Sequence, residues 1–217
     1  MIELFKAGGP VMWLLLLCSI VSLTIVIERI FFWVGVNLNH DPDLLNEVME
    51  LSREGQWEGV RDKAIGSKNY IVRVLVSGIL HREYSMLKAM ESASAEEIGR
   101  MRRFMGIMDT MITAAPLIGI LGTVVGIIVS FESLGASGIE HPEVVTKGIA
   151  QALITTASGL GIAIFVIFPY NYFSSRIEKA AQAIEKYATS LEIVYEKLYP
   201  LNENSQSVSH EDSTQSP

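Results

Sequence analysis

The sequence predicts an all-α membrane protein with three transmembrane helices, the second and third extended into the cytoplasm as long helices. Three observations carry that fold class. Of the 217 residues, 49% are hydrophobic and only 19% charged, and the mean hydropathy is +0.33. The apolar residues gather in three long stretches, at about 11–34, 110–131 and 148–173, with charged and polar chain between and after them. Nowhere does apolar–polar alternation persist, and there is no Asn-Gly hairpin turn, so nothing reads as strand.

Taken in order, 1–10 is a short N-terminal segment and 11–34 is the first transmembrane helix. A bilayer core of about 30 Å needs roughly 20 predominantly apolar residues in helix. Residues 11–27 are uncharged; Glu28 and Arg29 follow, then the aromatic run Phe31, Phe32 and Trp33. The rival for this stretch is a cleaved signal peptide, but the apolar run is too long and no small-residue cleavage site follows. A lipoprotein signal is opposed by Leu17, since a small residue is needed before Cys18. Residues 35–105 form a cytoplasmic helical region. Asp41-Pro42 opens one helix with Leu44, Leu45, Val48 and Leu51 on a single face, and Gly55 ends it. Trp57, Val60 and Ala64 belong to a second that stops at Gly66. A third, 70–81, is more apolar and rests either on the membrane or on neighbouring helices.

Ser94 with Glu97 fits a capping box, and the apolar pattern runs on through Met101, Phe104, Met105 and Met108 into the second transmembrane helix, 106–131. An unbroken helix from 94 to 131 would be about 55 Å long. A periplasmic loop, 132–147, leads to the third transmembrane helix, 148–173, which continues as a cytoplasmic helix over 174–199. There Ile177, Ile184, Leu191 and Leu198 recur every seven residues beside Ala181, Ala188 and Tyr195, with Glu178, Lys179, Glu185, Lys186, Glu192 and Glu196 opposite. That pattern belongs to a helix packing on other helices in water, within the chain or between subunits. The tail, 200–217, is rich in Asn, Ser, Gln and Glu without apolar periodicity, as disordered segments are.

Orientation follows from the basic residues. Ten lysines and arginines lie between Arg53 and Arg103, against Lys6 alone before the first span and Lys147 alone in 132–147. Positive charge stays inside, so the N-terminus is periplasmic and the C-terminus cytoplasmic. A single cysteine excludes a disulfide framework and a Cys-based zinc site, and the four histidines lack metal-ligand spacing. No metal or cofactor is expected. A net charge of −7 with no basic block argues against nucleic acid as a partner. With no nucleophile–base pair, the chain does not read as an enzyme.

Within a bilayer, small residues that let backbones approach decide helix packing. Gly119, Gly122 and Gly126 lie on the second span; Gly148, Ala152, Thr155, Gly159 and Ala163 form a small-residue face on the third. Gly119-Ile-Leu-Gly-Thr is no phosphate loop, because it lies inside an uncharged span without a lysine. Thr123, Gln151, Thr155 and Thr156 admit two readings. Each threonine either bonds its own backbone carbonyl and is inert, or joins the amide in lining a narrow wet path that coordinates an ion or orders water. No carboxylate or lysine lies in 110–131 or 148–173, so the chain lacks a titrating group at depth unless Glu28, near the inner end of the first span, serves. If the chain conducts protons, a partner subunit must supply the titrating group.

Thr113-Ala-Ala-Pro-Leu-Ile-Gly-Ile-Leu-Gly-Thr-Val-Val-Gly-Ile127 resembles the second-span motif of the MotA/TolQ/ExbB proton channel family. Gly148-Ile-Ala-Gln-Ala-Leu-Ile-Thr-Thr-Ala-Ser-Gly-Leu-Gly-Ile-Ala163 resembles its third-span motif, with Tyr-Asn-Tyr-Phe following at 170–173, and Glu28-Arg29 matches the end of its first span. The likeness covers about residues 5–198 and is closest to the ExbB/TolQ branch, since the flagellar stator branch has a fourth span. It implies a homopentamer in the inner membrane around two copies of a single-span partner like ExbD or TolR, whose membrane aspartate takes up and releases protons. A TonB-like or other periplasm-spanning protein would then receive the work. Thr123 and Thr156 match the family's two threonine positions, whereas Gln151 stands where ExbB and TolQ usually have glutamate. The implied function is a proton or sodium channel subunit that couples ion motive force to transport or mechanical work at the outer envelope. A non-conducting membrane scaffold using the same packing faces is the alternative, with Gln151 marking lost conduction.

Overall fold

The computed structural model describes residues 9–39, 41–137 and 142–200. Among them the chain forms seven helices and no strand: α1 Val11–Leu38, α2 Pro42–Arg53, α3 Trp57–Ala64, α4 Tyr70–Leu80, α5 Arg82–Arg102, α6 Met105–Ser137 and α7 Pro142–Leu198. Three helical stretches are long and apolar enough to cross a membrane, Val11–Leu38, Arg82–Gly135 and Val145–Leu198, which fall in α1, in α5 with α6, and in α7. Leu17, Phe31, Leu117, Phe131, Leu153 and Phe168 are each more than half exposed, as lipid or another apolar surface would require. The protein is an all-α, multi-pass membrane protein.

Two compact units divide the chain, one of residues up to Gly35 with Gly99–Glu178, the other of Val36–Ile98 with the chain from Lys179 onward. In the first, α1 buries Leu15, Cys18, Ser22, Ile25, Arg29 and Trp33, one stripe at helical spacing. In the second, α2, α3, α4, α5 and the C-terminal part of α7 enclose Val48, Val60, Leu75, Met90, Ile184 and Leu191. The helix α4 is buried almost all round, so 70–81 rests on neighbouring helices rather than on the membrane.

Local signals explain the short helices. The Asp41 carboxylate accepts the amides of Asp43 and Leu44, at 3.1 and 3.0 Å, and Pro42 occupies the first turn. Gly55 and Gly66, with φ of +72° and +82°, end α2 and α3 in the left-handed conformation that glycine adopts at no steric cost. Removing the cap, Asp41→Ala, is expected to lower stability by about 1 kcal/mol, read as a lower thermal midpoint of the purified protein.

Three features differ from the sequence reading. Ser94 is not a cap: α5 begins at Arg82, and Ser94 lies within it. Glu97, its presumed capping partner, instead reaches Arg73 of α4 at 2.9 Å. The helix from 94 to 131 is not continuous either. It breaks between α5 and α6, where Phe104 takes a φ of +64°. The helices also outrun their expected limits: α1 continues to Leu38, while α6 runs on to Ser137 and α7 begins at Pro142, both inside the expected 132–147 loop. The N-terminal 1–8, residues 138–141 and the tail from 201 lie outside the described residues.

Candidate functional site

The seam between α6 and α7 is built from residues without side-chain bulk. A Cβ added to Gly119 would stand 3.0 Å from the Thr155 carbonyl oxygen and the Thr156 Cα. One added to Gly122 would stand 2.5 Å from Thr155 Oγ1, and one on Gly126 would be 3.0 Å from the Ala152 Cβ. From the other side, a Cβ on Gly159 would run into the Ala115 carbonyl and stand 3.2 Å from the Gly119 Cα. Ala163 is buried as well. Without a hydrophobic driving force between helices in lipid, this backbone-to-backbone approach supplies the packing energy.

Bare glycine also leaves its carbonyl open to a neighbouring helix. Thr156 Oγ1, on α7, donates to the Gly119 carbonyl of α6 at 2.9 Å. Thr123 Oγ1, on α6, donates across the seam to the Ala152 carbonyl at 3.2 Å, with its own-helix Gly119 carbonyl at 3.3 Å. The two hydroxyls also touch each other. Two protons therefore serve two carbonyls and the contact between the hydroxyls, and what the pair offers a visitor is oxygen lone pairs. Both side chains are half-buried, and Thr123 stands near the middle of the uncharged run 110–131.

The other two polar candidates are placed elsewhere. Thr155 sits in the seam itself, 1% exposed, its hydroxyl 2.7 Å from the Ala152 carbonyl of its own helix and 3.4 Å from the Gly119 carbonyl across the seam. Gln151 lies with its amide against Gly9, just before α1. The structure thus brings Thr123 and Thr156 together and leaves Thr155 and Gln151 out of that pair.

Glu28 and Arg29 hold the break between α5 and α6. In an unbroken helix the carbonyls of Arg100 and Met101 would accept the amides of residues 104 and 105. Here Arg29 Nη1 donates to both carbonyls instead, at 3.3 and 3.2 Å. The guanidinium is steadied by Glu28 at 2.5 and 2.7 Å and lies 4.4 Å from the centre of the Phe32 ring, with Phe104 at 5.6 Å. Arg29 is 1% exposed. Arg29→Ala would take the guanidinium donor from the buried Met101 carbonyl and leave the Arg100 carbonyl only the Arg103 amide at 3.4 Å, and is expected to destabilise the chain by about 2 kcal/mol. Arg29→Lys keeps the charge but not the planar fork and should recover only part of the loss in a detergent melt.

The profile of the MotA/TolQ/ExbB proton channel family matches residues 67–186, which span the Arg73–Glu97 tie, the break at Phe104 and both threonines. The chain belongs to this family. The biopolymer transport protein ExbB-like 3 of Synechocystis sp. is 30% identical over 200 residues, covering 89% of this chain and 94% of the relative. An ExbB homolog of Methanothermobacter thermautotrophicus is 31% identical over 85% of this chain and 66% of its own length. The Tol-Pal system protein TolQ of Pseudomonas aeruginosa is 32% identical over 68% of this chain and 63% of its own length. The protein is thus a transport subunit of the ExbB/TolQ proton-channel type, and its relatives are transport proteins rather than enzymes.

The sequence reading missed two members of this ExbB/TolQ-type seam. Ala115, 0% exposed, meets Gly159, and Ser130 lies where a side chain on Gly148 would fall. Ala115, Gly119, Gly122, Gly126 and Ser130 are spaced by four, three, four and four residues, so helical periodicity alone would have extended the stripe to both. The role of Arg29 gave no such signal, since its carbonyl partners are 71 and 72 residues away.

Proposed function

We propose that this chain forms the ion-conducting sleeve of an inner-membrane motor, assembling as a homopentamer around a single-span, ExbD/TolR-like partner whose membrane aspartate carries the proton. The observation that carries the reading is the Thr123–Thr156 hydroxyl pair, half-buried on two helices that hold no carboxylate or lysine of their own between 110 and 131 or between 148 and 173.

The hydroxyls distinguish the two states of a carboxyl group. With their protons directed to the Gly119 and Ala152 carbonyls, they accept a hydrogen bond from the O–H of a neutral Asp side chain. An ionised carboxylate needs donors, so the hydroxyls must turn and give up those carbonyl bonds. Loading and unloading the partner's aspartate thereby changes what α6 and α7 hold. A charge crossing the membrane field is worth about 2.3 kcal/mol per 100 mV, and a TonB-like protein spanning the periplasm would receive that work. The lysine and arginine bias supports placing 35–105 and the C-terminus inside.

The test is proton flux into vesicles holding the chain with its co-purified partner. Flux is expected with the wild-type partner and should fall to the background of empty vesicles when the partner's membrane Asp is changed to Asn. Equal flux with and without that aspartate sinks the reading, and so does gated flux through this chain alone.

A further inference from the structure

In the second unit, α5 and α7 leave a groove between them that conduction does not use. Its floor is Met90 and Ile184, 1% and 2% exposed. Along one wall α5 presents Leu87, Glu91, Ser94 and Ile98; along the other α7 presents Ala181, Glu185, Ala188 and Glu192. Both stripes have the same spacing of four, three and four residues, an average of about 3.7, close to the 3.6 residues of a helical turn, so each stripe stays on one face of its helix. Side by side, the two make a cradle for a third helix, and the small side chains at 94, 181 and 188 let its axis come close. The heptad row seen in the sequence divides here. Ile184 and Leu191 turn into their own unit's core, whereas Ala181 and Ala188 line the groove.

Charge decides what fits. Among the described residues, Glu91, Glu185 and Glu192 line the groove and no lysine or arginine does. The chain's own tail carries Glu203, Glu211 and Asp212 and no lysine or arginine, so it would be repelled. A second copy of the same face would set these glutamates against themselves. A basic helix with apolar residues every three or four positions is complementary. A single-span protein with its N-terminus in the cytoplasm must place lysine and arginine on that flank to hold its orientation.

We propose that the groove docks a basic, amphipathic helix formed by the cytoplasmic segment that precedes the single-span partner's membrane helix. The inference rests on the partnership proposed above and adds a second point of attachment outside the membrane. It would tie the partner to one copy of the chain by its cytoplasmic end while its aspartate visits the threonines.

The experiment places a photoreactive p-benzoylphenylalanine at Ala188, and separately at exposed Thr189, in the full chain co-expressed with the Asp-bearing single-span protein that co-purifies with it. After irradiation of membranes, the adduct is mapped by mass spectrometry. A cross-link to that protein's Lys/Arg-rich segment is expected. Its yield should fall roughly fivefold or more when Glu91, Glu185 and Glu192 are all changed to lysine, and fall again for the wild-type chain in about 1 M salt, where the screening length is about 3 Å. If an Asp-bearing partner co-purifies but the adduct joins a second copy of this chain, maps elsewhere or is missing at both positions, the docking proposal is overturned and the channel reading stands. A yield unchanged by charge reversal and salt overturns it as well. If no such partner co-purifies at all, the channel reading fails and takes this inference with it.

Discussion

Gly159→Val is expected to abolish the folded α6–α7 pair, while Gly161→Ala two residues away leaves the protein intact. At Gly159 the first added carbon already runs into the Ala115 carbonyl and comes within 3.2 Å of the Gly119 Cα. Both neighbours are backbone, and neither can rotate away. The helices must part, which loses the contacts of Gly122 with Thr155 and of Gly126 with Ala152 as well. Forcing extra carbon into a packed interface costs about 1–3 kcal/mol where side chains can adjust, so at least about 3 kcal/mol is expected here. At Gly161 nothing lies within 4 Å of an added Cβ. Alanine there should change stability by less than about 1 kcal/mol, on the stabilising side, because it restricts the unfolded helix more than glycine does. Size-exclusion profiles and thermal melts of the two variants in one detergent make the comparison. Similar behaviour of the pair would mean that the seam is not tightly packed.

Thr123→Val and Thr156→Val should each lower ion flux by roughly tenfold or more while the assembled complex keeps its size. Valine matches threonine in shape, so the seam stays filled and only the oxygen is lost. A hydrogen bond to a charged or ionising group is worth about 1.5–3 kcal/mol, which corresponds to roughly 10- to 100-fold in a rate or an occupancy. Thr155→Val makes the internal comparison. Its hydroxyl is already bonded to its own helix and faces the seam, so its loss should affect stability more than flux. Thr123→Ser and Thr156→Ser retain the hydroxyl and should retain most of the flux. Full flux in both valine variants would remove the pair from the conduction path.

The spans, the short helices and the small-residue stripes were legible because each depends on interactions within a few residues. Asp41 caps its own helix, Gly55 and Gly66 end theirs, and Ala152 and Gly159 fall on one face by periodicity alone. The elbow at Phe104 was illegible for the opposite reason. Residues 94–108 look like good helix, and the break is held by a guanidinium from a distant part of the chain. The Ser94–Glu97 pattern misled in a related way: a capping box stabilises a helix start, but packing of Met86 and Met90 into the core had already started α5 upstream.

From sequence alone came three long apolar spans, the second and third with hydroxyls and glycines but no carboxylate or lysine, which is a statement about composition in lipid and needs no tertiary contact. Which hydroxyls act together was decided only in three dimensions. Thr155 and Thr156 are neighbours, but successive residues point about 100° apart on a helix, so one enters the seam and the other meets Thr123. That choice depends on how closely α6 and α7 approach and in what register. The register is the joint outcome of Gly119, Gly122, Gly126 and Gly159 meeting their partners, and no short stretch of the chain contains it.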